Sequence, residues 1–306
     1  MTSVVAAKSG TQWSIESDGQ SAVVVEVGGV LRAYSVGDVA VLDGFEADEL
    51  SPASAGQILA PWPNRIRDGQ YTFEGQSYQL PLTEPAKHNA IHGLVNWSRW
   101  SLVEQTPSSL TVECEVPAQI GYPWWLTVRT TWSISAAGLR CDLEVVNNSP
   151  SNAPWGYSVH PYLQLPGVGV NDTVLHVPGR TRIVADGRLL PIGATAVAGT
   201  DYDFTEPRRI GDLVLDTTFG DITHDADGIT EVTIADPGSD RKIVVWADEK
   251  FRYWQVFSGD TLHGERFRRS VAIEPMTCPP DAFRTGRDLI VLAPGERWSA
   301  SWGIRA

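Results

Sequence analysis

The sequence predicts an all-β protein, a large antiparallel β-sandwich, on three observations. Short runs alternate between apolar and polar residues at period two or are rich in β-branched residues. Gly, Pro, Asn and Asp interrupt them at short intervals. No segment carries a convincing helical period. In chain order the clearest strands are Ser21–Val27 before Gly28-Gly29, Leu110–Val116 before Pro117, Leu126–Ile134 and Leu139–Val146. After them come Glu231–Ala235, Arg241–Trp246, Tyr253–Phe257 and Trp298–Ile304. Asn147–Pro150 and Asp236–Asp240 read as turns, and Asp68-Gly69 as the turn of a hairpin. The best helical candidate, Thr205–Asp212, amounts to a loop or a single turn in which Ile210 and the following Leu213 face inward.

A length of 306 residues suits roughly two domains or one large sandwich. No shift in composition, no Ser/Gly tract, no charge block and no short repeat divides the chain, so a single domain over 1–306 is expected. The net charge of -13 excludes the basic surface that nucleic acid or an anionic membrane requires. Cys114, Cys141 and Cys278 are far apart and odd in number, which fits a reducing compartment and no metal cluster. Residues 1–8 lack the pattern of a secretory signal. No apolar run reaches the ~18 residues of a membrane span. A cytoplasmic protein is therefore expected. Its 12 tryptophans offer flat faces suited to carbohydrate, although most belong in the core of a β-protein.

Chemistry concentrates in a few segments. Trp155–Tyr162 sets His160 in a run of aromatic rings. Gly156 permits close approach, and Pro161 keeps His160 out of the α region. Such a histidine can act as an acid or a base near neutral pH, and a buried core histidine fits the same pattern. Asn64 and Arg65 lie on a loop opened by two prolines, where the guanidinium fork can fix sugar hydroxyls or pair with an acid. His88 and His92 stand four apart, but no helical period or accompanying glutamate supports a metal site. His92 beside Gly93 reads as a neutral ligand donor, and His88 as structural. Asp216 follows an apolar run and can accept hydroxyl bonds or cap a turn. Glu274 closes an apolar strand before a proline-rich corner, where desolvation makes it a stronger base. Asp281 is expected to hold its loop by capping. His160 and Glu274 supply one imidazole and one carboxylate, whereas a glycosidase would use two carboxylates. A nucleophile elbow, a P-loop and a dinucleotide fingerprint are missing.

In this order the segments resemble the aldose 1-epimerase (galactose mutarotase) family. The matching pieces are Ala60-Pro61-Trp62 leading to Asn64-Arg65-Ile66, then His92-Gly93, Gly156-Tyr157 with His160-Pro161-Tyr162, Asp216 with Phe219, and Glu274-Pro275 with Asp281-Ala282. The resemblance implies the galactose mutarotase-like supersandwich, an aldose as the small-molecule partner, and no cofactor or metal. It implies a monomer or homodimer. It makes Glu274 the general base for the anomeric hydroxyl and His160 the general acid for the ring oxygen. It makes Arg65, His92 and Asp216 substrate-binding residues, with Asn64 and Trp155 beside them. Leu94–Trp97 after His92-Gly93, and the two threonines after Asp216, depart from the family's usual pattern and leave the sugar open. A non-catalytic sugar-sensing module, and an epimerase for a phosphorylated or sulfonated sugar, compete with this reading.

Overall fold

Period-two alternation is most regular along Leu126–Ser135, where each inward residue is buried and each intervening one is partly exposed. Gly138–Asn147 repeats the pattern and pairs with it in an antiparallel ladder from Leu126↔Asn147 to Ser135↔Gly138. One face of these strands packs inward and the other meets water, which is the condition that alternation encodes. The computed structural model describes residues 7–306, so most of the stretch read for a secretory signal lies outside the described residues.

Two large sheets result. The nine-stranded sheet runs in the order Ser101–Gln105, Ser109–Val116, Leu126–Ser135, Gly138–Asn147, Arg297–Arg305, Lys242–Ala247, Thr230–Ala235, Val174–His176, Arg208–Arg209. The eight-stranded sheet runs Pro191–Ala196, Gly179–Ala185, Asp216–Ile222, Tyr253–Phe257, Val271–Met276, Ser158–Val159, Ile58–Leu59. Tyr162–Leu163 also pairs with Val271–Met276. Residues 12–40 add a four-stranded antiparallel sheet. One apolar core takes Trp132, Val145 and Trp302 from the first large sheet and Phe219, Trp254 and Ile273 from the second. The Trp254 indole N–H bonds Thr230 Oγ1 across the sandwich at 3.3 Å. Among the described residues no helix is long and apolar enough to cross a membrane.

The eight expected strands all form, with ends displaced by a residue or two. Asn147 makes its turn by donating from Nδ2 to Ser151 O and Leu292 O. Asp236 makes the other by accepting the Gly238 N–H. Thr205–Asp212 holds no helix. Arg208–Arg209 instead pairs with Val174–Leu175, and Ile210 is buried as expected. The one α-helix among the described residues is the four-residue Ala282–Thr285.

The expected hairpin at Asp68-Gly69 needs correction. Both residues take positive φ and the turn is present, but the strands on either side do not pair with each other. Arg65–Arg67 pairs with Asn89–Ile91, and Gln70–Phe73 pairs with Gln76–Gln79 around Glu74-Gly75. Two consecutive turns of the same chemistry compete here, and local turn propensity does not say which one closes a ladder.

Candidate active site

Directly opposed residues in antiparallel strands share a face, as do residues two apart on one strand. By that register Thr218, Gln255 and Glu274 form a row across three neighbouring strands, and Asp216 joins it. Their neighbours of opposite parity, Phe219, Trp254, Val256 and Ile273, point into the core. The polar row therefore lies on the outward face of the eight-stranded sheet, where loops bury it. Thr218 Oγ1 donates to Gln255 Oε1 at 2.5 Å, and Gln255 Nε2 donates to Asp216 Oδ1 at 2.5 Å. Glu274 stands in the middle of Val271–Met276 rather than at its close. Proline tolerates extended backbone and gives up only one ladder donor, so Pro275 does not end the strand.

His160 lies between Ser158–Val159 and Tyr162–Leu163. Its N–H donates to Gln57 O at 3.0 Å, and its carbonyl accepts the Gly56 N–H at 2.8 Å. The ring stacks on Tyr162, with centroids 4.9 Å apart and planes 23° apart. Its Nε2 reaches Glu274 Oε1 at 3.4 Å. His92 meets the same imidazole edge-on at 5.7 Å between centroids.

His92 is placed from below. It and Asn64 both adopt positive φ, and the His92 N–H donates to Asn64 O at 3.0 Å. Gly93 then lets the chain pass Ala60 so closely that a Cβ would stand 2.0 Å from the Ala60 carbonyl oxygen. Gly156 has a similar role, since a Cβ there would lie 2.5 Å from Cys278 Sγ.

Arg65 is on the strand Arg65–Arg67, and its side chain is bidentate to Glu84 at 2.8 and 2.9 Å. The sequence offered that pairing as the alternative to sugar binding. The pairing with an acid is the one formed, and the same guanidinium acts electrostatically on His92, His160, Asp216 and Glu274. Asp281 occupies the N-cap position of Ala282–Thr285, but its side chain makes no cap bond there. Its N–H donates to Arg65 O at 2.7 Å and its Oδ1 accepts the Arg67 N–H at 2.9 Å, so it brackets the Arg65 backbone.

Trp155 departs from expectation. It has no exposure, lies in the strand Ala153–Trp155 and belongs to the core, so its ring is packing and not a face for a sugar. His88 is exposed and bonds Asp68 at 2.8 Å. It sits in left-handed conformation after a 3₁₀ turn and shares no helix face with His92.

Burial dominates the electrostatics. It raises Glu274 well above the carboxylate range, with Asp216 adding to the effect and Arg65 opposing it. It lowers His160 to about 4, and Arg65 adds to that effect. It lowers His92 well below the usual imidazole range, helped by His160 and Arg65. Asp216 is raised, again by burial first. Burial thus shifts both members of the pair toward their uncharged forms. Three buried atoms in this cluster have no partner: His92 Nδ1, His160 Nδ1 and Glu274 Oε2. Buried polar atoms are nearly always paired, so three orphans at one place suit the hydroxyls of a ligand.

Sequence reasoning missed Gln255 and Glu84. Gln255 had a signal, as the lone polar residue of the apolar run Tyr253–Phe257. Glu84 had none, because its partner lies 19 residues away across a loop.

Fold and site together define the class, that of galactose mutarotase-like β-sandwich proteins with an imidazole–carboxylate pair on the outer sheet face. The chain belongs to the aldose 1-epimerase family, whose sequence pattern matches residues 11–305. It is 32% identical over 290 residues to the Escherichia coli K12 protein YihR, covering 94% of this chain and 91% of that protein. It is 26% identical over 209 residues to the maltose epimerase of Levilactobacillus brevis, covering 63% and 61%. A solved GalM/aldose epimerase homologue from C. elegans superposes with a TM-score of 0.85 at 17% identity, covering 96% of this chain and 99% of that one.

Proposed function

We propose that this protein is an aldose 1-epimerase that interconverts the α and β anomers of an aldose by general acid/base catalysis, without a cofactor. The observation that carries the reading is the buried pair itself, His160 Nε2 at 3.4 Å from Glu274 Oε1, with an unpartnered atom left on each side chain. Glu274 is the base and His160 the acid. Burial favours the uncharged arrangement of the pair, with the proton on Glu274, over the charged one. A bound sugar returns hydrogen-bonding groups to the site, and the proton passes to His160. Glu274 then takes the proton of the anomeric hydroxyl while His160 gives its proton to the ring oxygen, and the C1–O5 bond breaks. The open-chain aldehyde is left with a protonated Glu274 and a neutral His160. That is the arrangement burial favours, so the pair is at rest while the ring is open. Rotation about C1–C2 and reversal of the two transfers give the other anomer. Arg65, His92, Asp216 and Asn64 hold the sugar, and Gln255 fixes the Asp216 carboxylate. We place the protein in the cytoplasm, where the three buried free cysteines stay reduced.

The test follows the optical rotation of freshly dissolved α-aldoses with and without protein. The panel contains neutral sugars and their 6-phosphorylated or 6-sulfonated forms. Faster relaxation to the same final rotation is expected, and the fastest sugar identifies the substrate. Glu274→Gln and His160→Ala should each lower kcat by roughly 10²–10⁴-fold while the fold is kept. Full activity in either variant would refute the roles. Binding of a sugar without any acceleration would select the sensing module instead.

A further inference from the structure

We propose that Arg188 is a positioning residue that fixes Arg65 at the site through Asn89 and Glu84. Its side-chain hydrogen bonds go to Asp68 and to the segment before His92 rather than to the acid/base pair. Its turn, Asp186–Leu190, joins Gly179–Ala185 to Pro191–Ala196 at the outer edge of the eight-stranded sheet. The turn is fastened to itself. Asp186 Oδ1 accepts the N–H groups of Arg188 and Leu190 at 2.8 and 3.1 Å. This leaves the Arg188 side chain aimed across to the loop that precedes His92.

There the guanidinium donates from Nε and Nη2. It donates to Lys87 O at 2.9 Å, His88 O at 2.7 Å, Asp68 Oδ1 at 2.8 Å and Asn89 Oδ1 at 3.3 Å. Asn89 is completely buried and completes the link. Its Nδ2 donates to Arg188 O at 3.2 Å and to Glu84 Oε2 at 2.9 Å. Glu84 in turn takes both forks of Arg65. Glu84 and Asn89 also exchange backbone hydrogen bonds at 2.9 and 3.2 Å, so the loop between them is closed by its own ends.

The physical case rests on rigidity. An arginine side chain has several rotatable bonds, and a free one would sample many positions before a sugar arrived. Glu84 selects one rotamer of Arg65, but a carboxylate on a loop is only as fixed as its loop. Arg188 ties three points of that loop, two carbonyls and one side-chain amide, to a different part of the sheet. Lysine carries its donors on one nitrogen and lacks the planar fork that lets Nε reach Lys87 O while Nη2 serves the other acceptors. A misplacement of about 1 Å at a binding group can cost as much as 10²-fold in rate.

This inference rests on the mutarotase reading for its kinetic arm only. The first measurement is independent of any reaction: the side-chain Nε–Hε resonance of Arg65 in ¹⁵N-labelled full-length protein, assigned with Arg65→Lys. In the wild type the resonance should be sharp and slow to exchange. In Arg188→Ala it should broaden and exchange roughly tenfold faster or more, and in Arg188→Lys to a smaller degree, in variants whose melting shows an intact fold. An unchanged resonance in both variants overturns the proposal. For the reaction, Arg188→Ala should lower kcat/KM roughly 10- to 100-fold, yet add nothing further in an Arg65→Ala background, since a residue that acts through another is silent without it. Equal losses in both backgrounds would place its effect elsewhere and refute it. A wild type that accelerates no aldose would defeat the mutarotase reading, while the resonance of Arg65 still decides the role of Arg188.

Discussion

Glu274 and His160 are held in a place that suits neither of their charged forms, and that has a measurable cost. Glu274 titrates higher in the folded protein than in the unfolded chain, so the folded state binds its proton more tightly. Stability from this group is therefore fully present at low pH and is lost as pH rises from about 4.3 through the raised folded value. Glu274→Gln removes the penalty. Its melting temperature should exceed that of the wild type by a margin that grows between pH 5 and pH 8, measured by scanning calorimetry. A constant margin would show that the carboxyl is not strained by burial. The same logic explains what was legible residue by residue. His160, Glu274 and Asn64 stand beside a proline that restricts the backbone, His92 beside a glycine that permits close approach, Arg65 directly after Asn64, and Asp216 at the end of an apolar run. Gln255 and Glu84 have no such local mark. Their roles come from cross-strand register and from a loop closing back on a strand. Trp155 had the right local company for a sugar platform, but its ring is fully buried in the core, on a strand that pairs with Ile290–Leu292.

At the level of elements, the site depends on one narrow crossing. The chain around His92-Gly93 runs against Ala60, with Leu94 N–H donating to Ala60 O at 2.7 Å. Gly93 has φ +78°, and any Cβ would meet the Ala60 carbonyl. Gly93→Ala thus combines an unfavourable backbone conformation with a clash that only backbone movement can relieve. We expect it to lower stability by roughly 2–4 kcal/mol and to displace His92, with loss of sugar binding. A variant with wild-type melting and affinity would mean that the loop has room to move. Strands proved easier to foresee than the connections between them, since alternation is a local property. The pairing of Arg65–Arg67 with Asn89–Ile91 was not foreseeable, because it skips over a complete hairpin, and it is this pairing that brings Arg65 and His92 side by side.

For the molecule as a whole, the nine-stranded sheet is joined at its centre by the strand nearest the C-terminus. Arg297–Arg305 pairs with Gly138–Asn147 on one side and Lys242–Ala247 on the other. It also contributes Trp302, fully buried against Trp132 at 5.6 Å between ring centroids. Deleting residues 297–306 should therefore prevent folding altogether rather than trim an end. Circular dichroism and limited proteolysis would show an unstructured chain, and a stable, protease-resistant remainder would contradict that central role. The sandwich as a class was readable from strand spacing and the lack of helical period. Which strand lies at the middle was not, because order along the chain carries little information about order across an antiparallel sheet.

That central strand also has a meaning in time. A ribosome releases this chain from residue 1 onward, so the two blocks of the sheet emerge well before the segment that joins them. Until 297–305 leaves the exit tunnel, each block presents an unpaired edge of backbone donors and acceptors, the kind of surface on which unfinished chains adhere to one another. Completion of the nine-stranded sheet thus waits for 297–305, and the nascent chain has the greatest need of a chaperone until that segment is free to pair.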